Sequence, residues 1–278
     1  MSGTLYIIGT PIGNMEDITL RQLRMLEEVD FLCAEDTRVT LKLLNRYEIK
    51  KQLVSFHEHS SQAEAQRIIE RLAAGECCGV VTDAGMPCIS DPGEVLVKMC
   101  AEQGIDVKVV PGPSAVVSAA AVSGLNTRRF TFEGFLPVPK KERSERLELL
   151  RNETGAMIFY EAPHKLRATL SDMAGFFGGE RRISLCRELT KIHEEVLRMT
   201  LAEAVTYYAG NEPRGEFVLV VEGADLSAGE AVTIEQALAQ VKKLVEMGER
   251  PTDACKAVAK ECGFRKSELY SAFCGEEM

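Results

Sequence analysis

The sequence lacks any long apolar segment. No run of apolar residues approaches the roughly 20 that a membrane-spanning helix requires. The first residues, Met1 to Tyr6, show no basic stretch followed by a long apolar core, so they do not predict a signal peptide. We therefore expect a cytoplasmic protein without a membrane partner.

Paired cysteines are also missing, although cysteine itself is frequent. The nine cysteines include no Cys-x-x-Cys pair and no zinc-like spacing with histidine, and their number is odd. Only four histidines are present, and the segment His57-Glu58-His59 has no third ligand spaced to complete a metal site. We predict reduced thiols, as in a cytosolic protein, and no bound metal.

The sequence has fewer basic than acidic residues. Lys and Arg number 33 against 42 Asp and Glu, which gives a net charge of −9 and, taken alone, argues against a nucleic-acid partner. Basic residues nevertheless cluster locally, with solvated helix faces as the competing interpretation. The clusters are Arg128, Arg129, Lys140, Lys141, Arg143, Arg146 and Arg151, then Arg181, Arg182, Arg187 and Lys191, and finally Lys242, Lys243, Arg250, Lys256, Lys260, Arg265 and Lys266.

What the sequence does contain is an alternation of short apolar runs with helical periodicity. Its 278 residues are enough for two modest cores. Strands that alternate with helices predict an α/β fold with mostly parallel or mixed sheets. The predicted strands are 4–8, 29–33, 79–82, 107–110, 130–132, 156–160, 183–186 and 217–221.

Changes in composition divide the chain into three parts. A run of small residues gives way to Ser123, Gly124 and Asn126, which predicts a boundary between one α/β domain at 1–123 and a second at 124–225. A polar linker follows. The last part, 230–278, has the spacing of three helices and forms a predicted tail.

Three loops with glycine directly follow predicted strands. They are GTPIGN at 9–14, DAGMPCISDPG at 83–93 and PGPSA at 111–115. Glycine allows sharp turns and close approach to a ligand, and open α/β sheets bind ligands beyond the carboxyl ends of their strands. Each loop alone is equally consistent with a turn that starts a helix, as in Asp91-Pro92-Gly93. Together they predict one ligand-binding rim.

Charged segments follow other predicted strands. Ala34-Glu35-Asp36-Thr37-Arg38 places two acids and an arginine at the same rim. An acid there could accept a proton, or it could pair with the arginine and hold the loop. In the second half, FYEAPHK at 159–165 and RELTKIHEE at 187–195 also follow strands. The residues themselves leave the catalytic and the structural interpretation open.

The ordered set of these motifs, with FEGFLP and GEFVLVVEG, resembles the tetrapyrrole methylase superfamily from about Gly3 to Gly223. More narrowly, it resembles the ribosomal RNA small subunit methyltransferase I branch, which 2′-O-methylates a cytidine of 16S ribosomal RNA. The resemblance implies two unlike α/β domains with S-adenosylmethionine in the cleft between them, a homodimer, no metal or other cofactor, and 16S rRNA or the 30S subunit as partner. It assigns cofactor contacts to Ile12, Asp83, Ala84, Gly85, Cys88, Ser114, Ala115, Glu161 and Leu189.

Methylation of a ribose hydroxyl requires an aligned acceptor oxygen and a group that takes up its proton. The candidates for that group are Asp36, Glu35 and His164, and we predict Asp36. Arg38 is its predicted orienting partner, and Lys191 is a second cation for orientation or for flanking phosphates. We also predict that the tail contacts RNA. Two other interpretations stand: a methylase of a small tetrapyrrole, and a non-catalytic RNA-binding or ribosome-assembly factor.

Overall fold

The computed structural model describes residues 2–89, 93–225, 234–262 and 264–276. The chain divides into two compact units, Met1–Ala224 and Asp225–Met278. The first unit contains two five-stranded sheets with their helices, and the second contains three helices.

The first sheet is parallel throughout, in the strand order β3-β2-β4-β1-β5. Its central strands β2 and β4 are buried along their whole length, as their uninterrupted apolar sequence requires in a sheet covered on both faces. The strands are β1 (Thr4–Ile8), β2 (Phe31–Ala34), β3 (Gln52–Ser55), β4 (Cys78–Val81) and β5 (Asp106–Val110).

Helices cover both faces of this sheet. These helices are α1 (Leu20–Glu28), α2 (Thr37–Arg46), α3 (Gln62–Ala73) and α4 (Glu94–Glu102), and a short 3-10 helix spans Met15–Asp17. The next helix, α5 (Ala115–Val122), packs on the second sheet instead. Capping boxes at Thr19 and Ser61 start α1 and α3, because each side chain satisfies an otherwise unpaired N–H of the first turn. These helix starts lie beyond the carboxyl ends of the strands and direct the loops to one edge.

The second sheet is mixed, in the order β6-β7-β10-β8-β9, and only β6 and β7 are parallel neighbours. Helices α6, α7 and α8 contribute to a core cluster on one face that includes Leu147, Leu170 and Leu201. The strands are β6 (Phe130–Phe135), β7 (Ala156–Glu161), β8 (Arg182–Arg187), β9 (Glu195–Thr200) and β10 (Phe217–Val221), and the helices are α6 (Lys140–Leu150), α7 (Pro163–Phe177) and α8 (Leu201–Gly210).

The second unit consists of α9 (Ile234–Glu246), α10 (Pro251–Cys262) and α11 (Lys266–Glu276). These helices enclose a core of their own that includes Leu238, Val258 and Phe273, each almost fully buried. The prediction of three helices in the tail is confirmed.

The predicted fold class is confirmed, since both sheets alternate with helices and the sheets are parallel and mixed. Eight strands were predicted, and the structure adds the edge strands β3 and β9. The division at residues 123 and 124 stays a prediction, although the strands of the two sheets come from opposite sides of it. No helix within the described ranges is long and apolar enough to cross a membrane.

Candidate active site

The three glycine-containing loops meet at the carboxyl edge of the first sheet. The backbone N–H of Thr10 donates to the carbonyl of Gly85 at 2.8 Å, and the N–H of Gly85 donates back to Thr10 at 3.2 Å. The N–H of Gly9 donates to the carbonyl of Val110 at 3.1 Å, next to the third loop. The three loops therefore meet in one continuous structure, as predicted, and their binding of a ligand stays a prediction.

Glycine is required where these loops touch. A Cβ on Gly9 would lie 2.7 Å from the Cα of Gly112, closer than real Cβ atoms approach a backbone. Gly85 has φ +91°, a conformation that side-chain-bearing residues rarely adopt. The buried side chain of Gln22 in α1 fixes the first loop by donating to the carbonyl of Gly9 at 2.5 Å.

A cavity of about 900 Å³ lies against this rim and extends to the second sheet. Nine of the residues predicted from the sequence line it, which brings both halves of the first unit to one site. They are Ile12, Asp83, Ala84, Gly85, Ser114, Ala115, Glu161, Leu189 and Lys191.

The other predicted residues, Asp36, Arg38 and Cys88, are not among the lining residues of this cavity. Cys88 has φ +67°, and it packs against the buried core of the first sheet. Its thiol is close to Gly93, where an added Cβ would lie 2.7 Å from the sulfur. The predicted helix start at Asp91 and Pro92 lies outside the described residues.

Asp36 and Arg38 form a compact pair at the start of α2. Asp36 is the N-cap residue, and its Oδ1 accepts from the backbone N–H of Arg38 at 2.8 Å. The guanidinium of Arg38 also donates to both carboxylate oxygens, with a closest approach of 2.6 Å. These hydrogen bonds, that of the Arg38 side chain first, lower the pKa of Asp36 to about 2. A carboxylate with so low a pKa is a weak proton acceptor.

Asp83 experiences the opposite influence. Partial desolvation and the nearby carboxylate of Glu35 raise the pKa of Asp83 above its usual value. Thr82 holds Glu35 in place by donating its hydroxyl to Oε2 at 2.6 Å. The backbone N–H of Asp36 donates to Oδ1 of Asp83 at 3.1 Å, so the two aspartates are direct neighbours.

Glu161 lies at the end of β7, on the second-sheet side of the cavity, and is only 5% exposed. Its Oε1 accepts from the N–H of Ala162 at 2.8 Å, and its Oε2 accepts from the hydroxyl of Thr169 in α7. These bonds hold a buried carboxylate in one orientation at the cavity wall.

Lys191 lies in the loop after β8, between two acids. Its Nζ donates to Glu188 and to Glu216, at 2.8 Å in each case. Burial lowers the pKa of Lys191, but the two carboxylates outweigh burial and raise it. Glu188 and Thr190 both have positive φ, +51° and +67°, so this loop is strained, as backbones at functional sites often are.

Aromatic side chains that were not predicted as site residues also line the cavity. Phe130, Phe132 and Phe135 of β6 and Tyr160 of β7 line it on the side of the second sheet. The available signal was the aromatic density of the segments FTFEGF and FYE. Strands were predicted only at 130–132 and 156–160, and their side chains were not assigned to a face.

Two unlike α/β sheets bordering one cleft define the fold of the tetrapyrrole methyltransferases. The chain is similar to the solved methyltransferase CobJ, with a TM-score of 0.60, 19% identity, and coverage of 80% of this chain and 95% of that one. It is also similar to uroporphyrin-III C-methyltransferase from Thermus thermophilus, solved in complex with S-adenyl homocysteine, with a TM-score of 0.56, 15% identity, and coverage of 79% and 97%.

Relatives in sequence identify the family within this class of methyltransferases. Residues 4–205 match the model of the tetrapyrrole (corrin/porphyrin) methylases. A ribosomal RNA small subunit methyltransferase I from Halalkalibacterium halodurans is 45% identical over an alignment of 278 positions. The alignment covers 98% of this chain and 94% of the relative. The protein of that name from Thermotoga maritima is 47% identical over 223 residues, 80% of this chain and 100% of the relative. The chain therefore belongs to the tetrapyrrole methylase family, and within it to the ribosomal RNA small subunit methyltransferase I group.

Proposed function

We propose that this chain transfers a methyl group from S-adenosylmethionine to small-subunit ribosomal RNA. The observation that carries the proposal is the 45% identity to a ribosomal RNA methyltransferase over 98% of the chain. The fold by itself does not choose an acceptor, because one fold supports many substrates.

The cavity fits a methyl donor of this kind. Its volume of about 900 Å³ lies within the range of about 300–1,000 Å³ typical of small-molecule sites. The wall combines apolar side chains with a few fixed polar groups, as such sites require. The residues we propose to hold the donor are Ile12, Asp83, Ala84, Gly85, Ser114, Ala115, Glu161 and Leu189, with Cys88 as a support from behind the loop.

Bound S-adenosylmethionine supplies an electrophilic methyl group, and the protein's task is to orient an acceptor oxygen and take up its proton. The sequence-based candidate for proton uptake is Asp36. Asp83 is a second candidate, because it lines the cavity and its pKa is raised rather than lowered. The acceptor we propose is the 2′-hydroxyl of a cytidine in 16S ribosomal RNA.

The two cations predicted at the site, Arg38 and Lys191, have different surroundings. Arg38 is exposed but engaged with Asp36, and Lys191 is engaged with two carboxylates. Lys191 lines the cavity, so we propose that it orients Glu216 or an RNA phosphate there, while Arg38 positions the Asp36 loop. As broader context, we propose a cytoplasmic homodimer that acts on 16S rRNA or on the 30S subunit.

A single methylation assay tests the proposal. The purified chain is incubated with labelled S-adenosylmethionine and, separately, with unmodified 30S particles, naked 16S rRNA and a tetrapyrrole. We expect label in the RNA of one or both ribosomal substrates and none in the tetrapyrrole. Label in the tetrapyrrole alone would reject the proposed acceptor, and failure to bind the donor would favour a non-catalytic RNA-binding factor.

A further inference from the structure

Four aromatic side chains form one wall of the cavity. Phe130 and Phe135 are 39% and 59% exposed, whereas Phe132 and Tyr160 are half-buried and pack against the apolar cluster beneath α5. The ring centroid of Tyr160 lies 4.9 Å from that of Phe132 and 5.6 Å from that of Phe135. The wall is thus anchored below and open towards the cavity, and we call these four residues the aromatic wall.

An irregularity in β6 builds this wall. Residues two apart on a strand share a face, so Phe130 and Phe132 lie together while Phe135 would point to the other side. The register with β7 shifts between Phe132 and Gly134, as a β-bulge at Glu133 produces. The extra residue returns Phe135 to the face of Phe130, opposite Tyr160 in the register.

The bulge is held by specific interactions. Gly134 has φ +64°, which a residue with a side chain would adopt only with strain. The side chain of Glu133 is 5% exposed and forms an ion pair with Arg146 of α6. A bulge that is fixed in this way and turns an exposed phenylalanine into a cavity is a feature of the site, since bulges commonly re-aim side chains beside active sites.

The exposed rings of Phe130 and Phe135 face a ligand-sized space rather than the core. Exposed large aromatic side chains at a cavity favour a planar partner, because every nucleobase has a π-face on which an aromatic ring can stack. Two side chains that can contact a sugar–phosphate backbone, those of His164 and Lys191, line the same cavity. RNA enzymes that act on one nucleotide commonly take an unpaired base out of its stack and hold it in this manner.

We propose that the aromatic wall, with Phe135 as its most accessible ring, stacks an unpaired base of the RNA substrate and thereby positions the ribose for methylation. This inference rests on the proposed function, because it assigns the acceptor side of the same cavity. The glycine-containing loops, together with Glu161 and Leu189, then hold the donor, and the aromatic wall holds the acceptor base.

The test compares four variants of the full-length chain in steady-state methyl transfer to unmodified 30S particles. Phe135→Ala removes the ring, Phe135→Leu keeps apolar bulk without a π-face, and Phe135→Trp keeps a face for stacking. Val138→Ala is the matched control, because Val138 is an exposed apolar residue three positions along that is not among the lining residues. Donor affinity is measured for each variant by calorimetry.

We expect Phe135→Ala to lower kcat/KM for the RNA by about 5- to 150-fold, the range found when stacked aromatics are replaced by alanine. The loss should lie mainly in KM. Phe135→Leu should recover only part of it, Phe135→Trp most of it, and the donor Kd should stay within about twofold throughout.

Three results would overturn the inference. An unchanged KM for RNA in Phe135→Ala would exclude stacking at this ring. Equal activity of the Leu and Trp variants would show that bulk is sufficient, and a weaker donor Kd would assign the wall to the donor's adenine. In each case a wild-type chain that methylates ribosomal RNA leaves the proposed function intact, whereas a wild-type chain that methylates none rejects both.

Discussion

At the scale of single residues, the rim shows how two adjacent carboxylates acquire opposite properties. Asp36 and Asp83 are joined by one hydrogen bond, yet the pKa of Asp36 is lowered to about 2 and that of Asp83 is raised. Hydrogen bonds from Arg38 lower the pKa of Asp36, whereas partial burial and the nearby carboxylate of Glu35 raise that of Asp83. When the surroundings of two neighbouring acids move their pKa values apart, the two acids commonly have different roles. Here the raised pKa favours Asp83 as the proton acceptor, and the lowered pKa favours a structural role for Asp36.

Replacing each aspartate by asparagine separates the two candidates for proton uptake. We expect Asp83→Asn to lower kcat for RNA methylation by about 10²- to 10⁴-fold, the usual value of general base catalysis. Asp36→Asn should have a smaller effect, because asparagine is an equally good helix cap. Single-turnover rates at saturating donor, with donor affinity measured separately, provide the comparison. A larger loss in Asp36→Asn would return the role to Asp36.

The low pKa of Asp36 predicts a particular dependence on pH. Its folded-state value of about 2 lies below the ordinary 3.8, so its contribution to stability is present above 3.8 and disappears as the pH falls through about 2. Arg38→Gln should move the carboxyl titration of Asp36 up towards 3.8, observed by NMR of the carboxyl carbon. Any difference in stability between wild type and variant should shrink over the same interval.

The control for this titration is Arg46→Gln, which removes an exposed arginine from the other end of the same helix. It should leave the midpoint of Asp36 in place. A midpoint that stays near 2 in Arg38→Gln would mean that backbone hydrogen bonds alone set the pKa.

At the scale of elements, the site depends on loops that touch at glycine. Gly13 of the first loop faces the loop that carries Lys191, and an added Cβ would lie 2.6 Å from the Cγ of Lys191 and 3.1 Å from the carbonyl oxygen of Leu189. A loop of the first sheet therefore meets a loop of the second sheet at Gly13, where there is no room for a side chain.

Gly13→Ala should displace that loop. We expect S-adenosylmethionine to bind at least about fivefold more weakly, since overpacking typically costs about 1–3 kcal/mol and both loops line the cavity. Gly175→Ala is the matched control: Gly175 lies inside α7 with nothing near its missing Cβ, so this change should be neutral or stabilising by about 0.4–1 kcal/mol. Calorimetry and thermal unfolding measure both, and unchanged donor affinity in Gly13→Ala would show that the loop adapts.

Local pattern predicted most elements, and each failure has a structural cause. β3 and β9 lie at sheet edges, where few residues are fully buried and the apolar signal is weak. The predicted end of β6 at Phe132 fell where the bulge begins, because a bulge breaks the alternation on which the prediction depends. The Asp36–Arg38 pair was foreseen as an alternative, but its separation from the cavity wall depends on tertiary contacts.

At the scale of the whole molecule, the chain has one unit with two sheets and one unit with three helices. The first unit, Met1–Ala224, contains both sheets and the cavity. The relative from Thermotoga maritima is matched over its full length by 223 residues, close to the size of this unit. The second unit has a core of its own and presents exposed basic side chains, among them Lys243, Arg250 and Lys256. These cations are the candidates for contacts with RNA phosphates, despite the overall charge of −9.

If the second unit contacts RNA, removing residues 227–278 should weaken RNA binding and leave donor binding unchanged. Loss of phosphate contacts should also flatten the dependence of log K on log salt, by about 0.7–0.9 per contact. A full-length chain carrying Lys243→Gln, Arg250→Gln and Lys256→Gln separates charge from bulk, because these exposed changes leave the buried core of the helices intact. Filter binding of 16S rRNA at several salt concentrations measures all three proteins. Equal affinity and equal slope in the truncated chain would place RNA recognition entirely in the first unit, whereas a loss reproduced by the triple variant would assign it to these cations.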